Sequence, residues 1–133
     1  MGAHSGVDDT HAAILALWSE YRDGIYEGDA NRLAAIFHPA ASMFYVSGGD
    51  LVVTPIAKYF DIVRNRTAPR ASGAGRRERL VSLAVPSPDS AVLTATILIL
   101  QKSFTDQLVL MKQQDKWLIV AKTYHLDEEL PAQ

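Results

Sequence analysis

The sequence predicts an α+β domain in which three helices pack on a strongly curved antiparallel sheet, in the order ααββαββββ. Three observations lead there. Helical periodicity of three and four is confined to the first half of the chain. The last third, Ala91 to His125, reads instead as three consecutive strands. Within it Asp106 stands alone among large apolar residues, in phase with Phe104, Leu108 and Leu110, which marks one strand face as a lined interior.

Residues 1–7 carry no periodicity and are expected to be a flexible tail to a single domain spanning 1–133. Asp8, Asp9 and Thr10 are candidate caps for the first helix. Ile14, Leu17, Trp18, Tyr21 and Ile25 then form one apolar stripe, with Glu20, Asp23 and Glu27 on the other side. Gly28 ends that helix. Asp29 caps a short second helix holding Leu33, Ile36 and Phe37, which Pro39 stops, because the residue before a proline disfavours the α region. Ser42 to Val46 is a short strand. Ser47-Gly48-Gly49-Asp50 is a hairpin turn and Leu51 to Val53 the return. Thr54 as cap and Pro55 at the first helical position start the third helix, which buries Ile56, Tyr59, Phe60 and Val63.

Thr67 to Arg77 is broken by Pro69, Ser72, Gly73 and Gly75 and reads as a loop. Six basic residues crowd it: Arg64, Arg66, Arg70, Arg76, Arg77 and Arg79. They are either a solvated cluster or a lid that meets an anionic ligand. Glu78 to Val85 is a strand, and Pro86 to Ser90 turns into the long apolar run Ala91–Leu100. Gln113 to Lys116 is a polar turn, and Trp117 to His125 runs back.

Composition narrows the function classes. Apolar residues make up 48% and charged residues 21% of 133, the profile of a soluble globular domain. A net charge of −2 argues against nucleic acid or an anionic membrane as partner. With no cysteine, thiolate and disulfide chemistry are excluded. The start has neither an apolar run nor a basic region, so no secretory signal is expected, and no stretch approaches a membrane span; a cytoplasmic location is the default. No His or acid pair has metal-ligand spacing, there is no glycine-rich phosphate loop, and neither metal nor cofactor is expected.

The element order, together with Gly28-Asp29, Phe37-His38-Pro39-Ala40-Ala41, Thr105-Asp106 and Lys116-Trp117-Leu118-Ile119-Val120, resembles the NTF2-like superfamily, an α+β cone of cystatin type. The likeness covers nearly the whole chain and is strongest to the Putative lumazine-binding and SnoaL-like groups. Their ending is similar to Thr105 through His125 here. The superfamily holds isomerases, dehydratases and transport factors, so the resemblance implies a fold more than a function. Set beside the ketosteroid isomerase members, Glu27-Gly28-Asp29 places Tyr21 on their oxyanion tyrosine. Thr105-Asp106 places Asp106 on their carboxylic acid donor. Tyr45 falls where they keep the aspartate base.

Two polarising groups and no base favour a binding module over an enzyme. The expected ligand is an unidentified small, largely apolar ring compound. Trp18, Tyr21, Tyr45, Tyr59, Asp106, Leu108 and Tyr124 are the expected pocket residues. A desolvated, neutral Asp106 could donate to a ligand carbonyl, or Asp106 could simply accept a bond from Tyr21. If the protein is a cofactor-free isomerase or dehydratase, Tyr21, Asp106 and His125 are the catalytic candidates, with His125 at the cavity mouth as acid or base. His38 is expected to sit at a helix end, against the dipole. Lys122 either snorkels to the edge or pairs with an acid. A third reading is an interaction domain whose dimer is the function. Val92, Thr94, Thr96, Leu98 and Leu100 make the second face of their strand apolar or β-branched, where one in water should be polar. A homodimer through the outer face of the sheet follows.

Overall fold

The computed structural model describes residues 5–73 and 75–130. Three helices, α1 (Ser5–Glu27), α2 (Ala30–Ala34) and α3 (Ile56–Asn65), accompany six strands. These are β1 (Phe37–Ser47), β2 (Asp50–Pro55), β3 (Arg79–Ser87), β4 (Ser90–Ile99), β5 (Lys102–Gln113) and β6 (Lys116–Glu129). The order is ααββαββββ, as the periodicities predict. One sheet runs β2-β1-β6-β5-β4-β3, antiparallel throughout except where β1 lies parallel to β6. The stretch from Ala91 to His125 therefore supplies the middle of the sheet.

The helical stripe and the inner strand faces form one core. Ile14, Leu17, Trp18, Tyr21 and Ile25 of α1 pack over Ala91, Leu93, Ala95 and Ile97 of β4, Leu108 and Leu110 of β5, and Trp117 and Ile119 of β6. Gly28 closes α1 with a positive φ, as Asp29 N–H returns to Gly24 O at 2.9 Å and Gly28 N–H to Ile25 O at 3.2 Å. A Cβ at Gly28 would also meet the Cβ of Ala68 at 2.6 Å, so the glycine lets Ala68 rest on the helix end.

Several boundaries differ from expectation. α1 begins at Ser5, ahead of the Asp8–Thr10 caps, so residues 5–7 are helix rather than tail; residues 1–4, with His4, and 131–133 lie outside the described residues. Asp29 does cap α2, accepting from the N–H groups of Asn31 and Arg32 at 3.1 Å. That helix stops at Ala34, well before Pro39. Phe37, His38 and Pro39 belong to β1, whose pairing with β6 shifts between Phe37 and Ser42; that irregular stretch is where a ladder tolerates a proline. His38 is thus in a strand, its Nδ1 accepting from Ala40 N–H. Thr54 is in β2 and makes no cap bond; Pro55 itself precedes α3. Leu100 is not in β4. It sits in the tight β4–β5 turn with φ 58°, an unusual conformation for a leucine. The strand after Trp117 runs on to Glu129, so Leu126 to Glu129 extend the sheet instead of folding across it.

Candidate functional site

At the centre of the core Tyr21 donates its hydroxyl to Asp106 Oδ2 at 2.5 Å. α1 carries the tyrosine inward on its apolar stripe, and the pleat of β5 carries the aspartate toward it. Ala95 faces Asp106 across one strand pair and Tyr124 across the other, so a small neighbour leaves room for the carboxylate.

The third member is Lys122, which the sequence left between an edge and an acid. Its Nζ lies 3.7 Å from Asp106 Oδ2, and both side chains are under 5% exposed. Three phenol rings surround the ammonium: Tyr59 at 4.5 Å, Tyr21 at 5.3 Å and Tyr124 at 5.6 Å from Nζ to ring centroid. A bulge puts Lys122 there. β6 pairs Ile119 with Leu110 and Ala121 with Val109, leaving Val120 as an extra residue. Strict alternation from Trp117 and Ile119 would bring Thr123 and His125 inside. With the bulge, Lys122 and Tyr124 turn inward.

His125 accordingly stands away from the Tyr21–Asp106 pair. It is exposed, sits opposite Thr105 rather than Asp106, and its Nδ1 is 3.0 Å from Asp127 Oδ1. Asp127 also accepts from Thr105 Oγ1 at 2.6 Å. That bond, and then the one to His125, hold the Asp127 carboxyl below its usual value.

Burial, followed by the nearby Asp106 charge, raises the Tyr21 phenol well above its ordinary value. Tyr124 is pushed up to about 12, again by burial first and then by Tyr45, Tyr59 and Asp106. Asp106 is an acceptor in this arrangement. It accepts the hydrogen bond of the Tyr21 hydroxyl and has Lys122 Nζ beside it.

The expected pocket residues fall into two groups. Trp18, Tyr21, Tyr59, Asp106 and Leu108 are buried and packed, with Trp18 stacked on Tyr21 at 6.2 Å. Tyr45 and Tyr124, their ring centroids 4.8 Å apart and tilted by 30°, line a cleft of about 590 Å³ between the β1–β2 hairpin and the ends of β5 and β6. His125 contributes to its rim. A second cleft, about 800 Å³, opens between Arg66, Ser72, Gly73, Gly75 and Arg77, the β4–β5 turn and the end of β6. Phe104 and Lys102 are shared walls of both. Phe104 also packs edge-on against Tyr124, at 6.0 Å. Among the described residues no cluster of His, Asp and Glu could hold a metal, and no helix is long and apolar enough to cross a membrane.

The arginine loop divides cleanly. Arg70 reaches Glu27 at 2.5 Å, and Arg76 reaches Asp23 and Glu78 at 2.8 Å, so both tie the loop to its surroundings. Arg64 pairs with Asp61 on α3. Arg66 and Arg77 instead line the larger cleft.

Comparison with known proteins agrees with this fold. An NTF2-like protein of unknown function from Shewanella baltica is 26% identical, with a TM-score of 0.81 over 92% of this chain and 97% of that one. A ketosteroid isomerase-like protein from Erwinia carotovora atroseptica shares 12% identity, TM-score 0.69, over 88% and 95% of the two chains. A type 2 hexachlorocyclohexane dehydrochlorinase shares 15%, TM-score 0.68, over 98% and 94%. At those two identities the likeness is one of fold alone. A search of curated proteins finds no match. The profile of the family described as "Putative lumazine-binding" matches residues 9–125, and the chain belongs to that family, on an NTF2-like fold.

Proposed function

We propose that the protein is a binding module for a small, largely apolar ring compound, held in the clefts at the open end of the sheet. The observation that carries this reading is the shared aromatic wall. Phe104, Tyr45 and Tyr124 border about 590 Å³ on one side, and Phe104 and Lys102 border about 800 Å³ on the other. Both volumes are in the range of small-molecule sites. The family's description names lumazine, a flat fused ring, which is of the class such walls accept. Binding is favoured over cofactor-free isomerisation because Tyr21 and Asp106 are satisfied by each other and Lys122, and neither lines one of the two clefts.

A thermal-shift panel of fused-ring compounds tests the reading. A ligand at about one hundred times its Kd should stabilise the fold by about 2.7 kcal/mol. Tyr124→Ala should abolish the response. A panel that leaves the wild-type melt unmoved overturns the proposal.

The same reading includes a homodimer through the outer face of the sheet. Val81 and Met111 are exposed there, and Val92, Leu98, Val109 and Leu118 are only half-buried. An apolar face of that extent is commonly covered by a second copy.

A further inference from the structure

We infer that the smaller cleft takes a ring compound bearing a hydroxyl or a ring N–H, and that His125 Nε2 accepts the hydrogen bond from that group. The inference rests on the proposed ring-ligand function and names the polar group the ligand carries.

The cleft exists because β1 and β6 diverge. Their parallel pairing ends at Phe44 and Thr123. Beyond it β1 turns away with β2, Val46 opposite Leu51, while β6 continues beside β5 as far as Glu129. Both faces of β6 therefore border the gap, Tyr124 and Leu126 from one and Thr123 and His125 from the other.

A short chain of hydrogen bonds sets the protonation of the imidazole. Thr105 Oγ1 donates to Asp127 Oδ2 at 2.6 Å, and His125 Nδ1 lies 3.0 Å from Asp127 Oδ1. Asp127 is the extra residue where the β5–β6 pairing shifts between Leu126 and Glu128. Bulges re-aim side chains, and here one carboxylate meets both neighbours. The same two bonds hold that carboxyl below its usual value. A carboxylate has no proton to give, so the proton between it and Nδ1 belongs to the imidazole. The neutral ring then carries its lone pair on Nε2, which has no partner among the described residues.

The side chain of His125 is 79% exposed, so this acceptor is open to a ligand rather than sealed in the core. Lys102, on the same cleft, offers donors only, and the hydroxyls of Tyr45, Ser47, Thr123 and Tyr124 bring protons of their own. Nε2 is the side-chain acceptor that brings none, so it selects a ligand with a proton to share. Asp127 and Thr105 act through His125, as positioning residues.

The test is fluorescence titration and nitrogen magnetic resonance of the full chain at mildly alkaline pH, where a free imidazole is neutral. The probes are 2-naphthol and 2-methoxynaphthalene, the same ring body with its proton replaced by a methyl group. In wild-type protein the His125 ring should carry its proton on Nδ1, and 2-naphthol alone should shift the Nε2 resonance. His125→Phe should weaken 2-naphthol about fivefold and leave 2-methoxynaphthalene unchanged. Asp127→Ala should move the ring proton to Nε2 and weaken 2-naphthol alone, a change of tautomer that a merely structural role would not produce. A thermal melt of each variant verifies folding, and the wild-type resonances stand without any variant. A proton on Nε2 in wild type, an Nε2 that 2-naphthol leaves unshifted, or a His125→Phe variant that loses both compounds equally or neither, overturns the donor subsite and leaves the ring-ligand reading intact. Binding of neither compound by folded wild-type protein overturns both.

Discussion

Lys122 Nζ sits 3.7 Å from Asp106 Oδ2 inside a box of three tyrosines, so the most buried acid among the described residues lies beside the most buried base. Breaking such a pair from one side leaves an uncompensated charge in the core. Lys122→Met or Asp106→Leu alone should each cost roughly 3–5 kcal/mol in urea denaturation. The double variant should cost clearly less than the sum of the singles. Additive losses would mean that the two groups are not coupled.

Trp117 is 7% exposed and packs inward beside Ile119. Truncation to alanine should cost about 3–5 kcal/mol, as for other large buried aromatics. A variant that melts like wild type contradicts the packing described above.

Alkaline pH should expose the raised phenols. Tyr21 and Tyr124 hold their protons more tightly folded than unfolded. Their contribution to stability is complete below the unfolded phenol value of about 10. It is lost as pH rises from there through the folded values, about 12 for Tyr124. Denaturant midpoints measured between these limits should fall, and less steeply in Tyr124→Phe. Parallel curves for the two proteins would contradict a raised Tyr124.

Steroid isomerase turnover should be absent or very low. The resemblance to the isomerases implies that Tyr45 replaces their base, and its ring lies 4.8 Å from that of Tyr124, centroid to centroid. Tyr21 spends its proton on Asp106. Robust conversion of a β,γ-unsaturated ketosteroid, followed by ultraviolet absorbance, would refute this.

Sedimentation at micromolar concentration should return twice 14.6 kDa. Val81→Lys with Met111→Lys should return the monomer, because each puts a charge on the proposed interface. A wild-type mass near 14.6 kDa removes the dimer and the reading of that outer face with it.

The sequence by itself determined the element order, the inward stripe of α1 and the inward phase of Asp106, because helix and strand periods are local and survive without neighbours. It also determined Asp29 as a cap and Gly28 as a stop, both matters of one residue's own chemistry. Tertiary structure decided the rest. The bulge at Val120 is invisible in an unbroken apolar strand, yet it turns Lys122 and Tyr124 inward and leaves His125 opposite Thr105. Pro39 looked like a helix stop because its partner strand, β6, lies some eighty residues on in the chain. Six clustered arginines read alike in one dimension. Only the acids of α1 and α3, arriving through the fold, separate those that fasten the loop from Arg66, which is left facing the cleft.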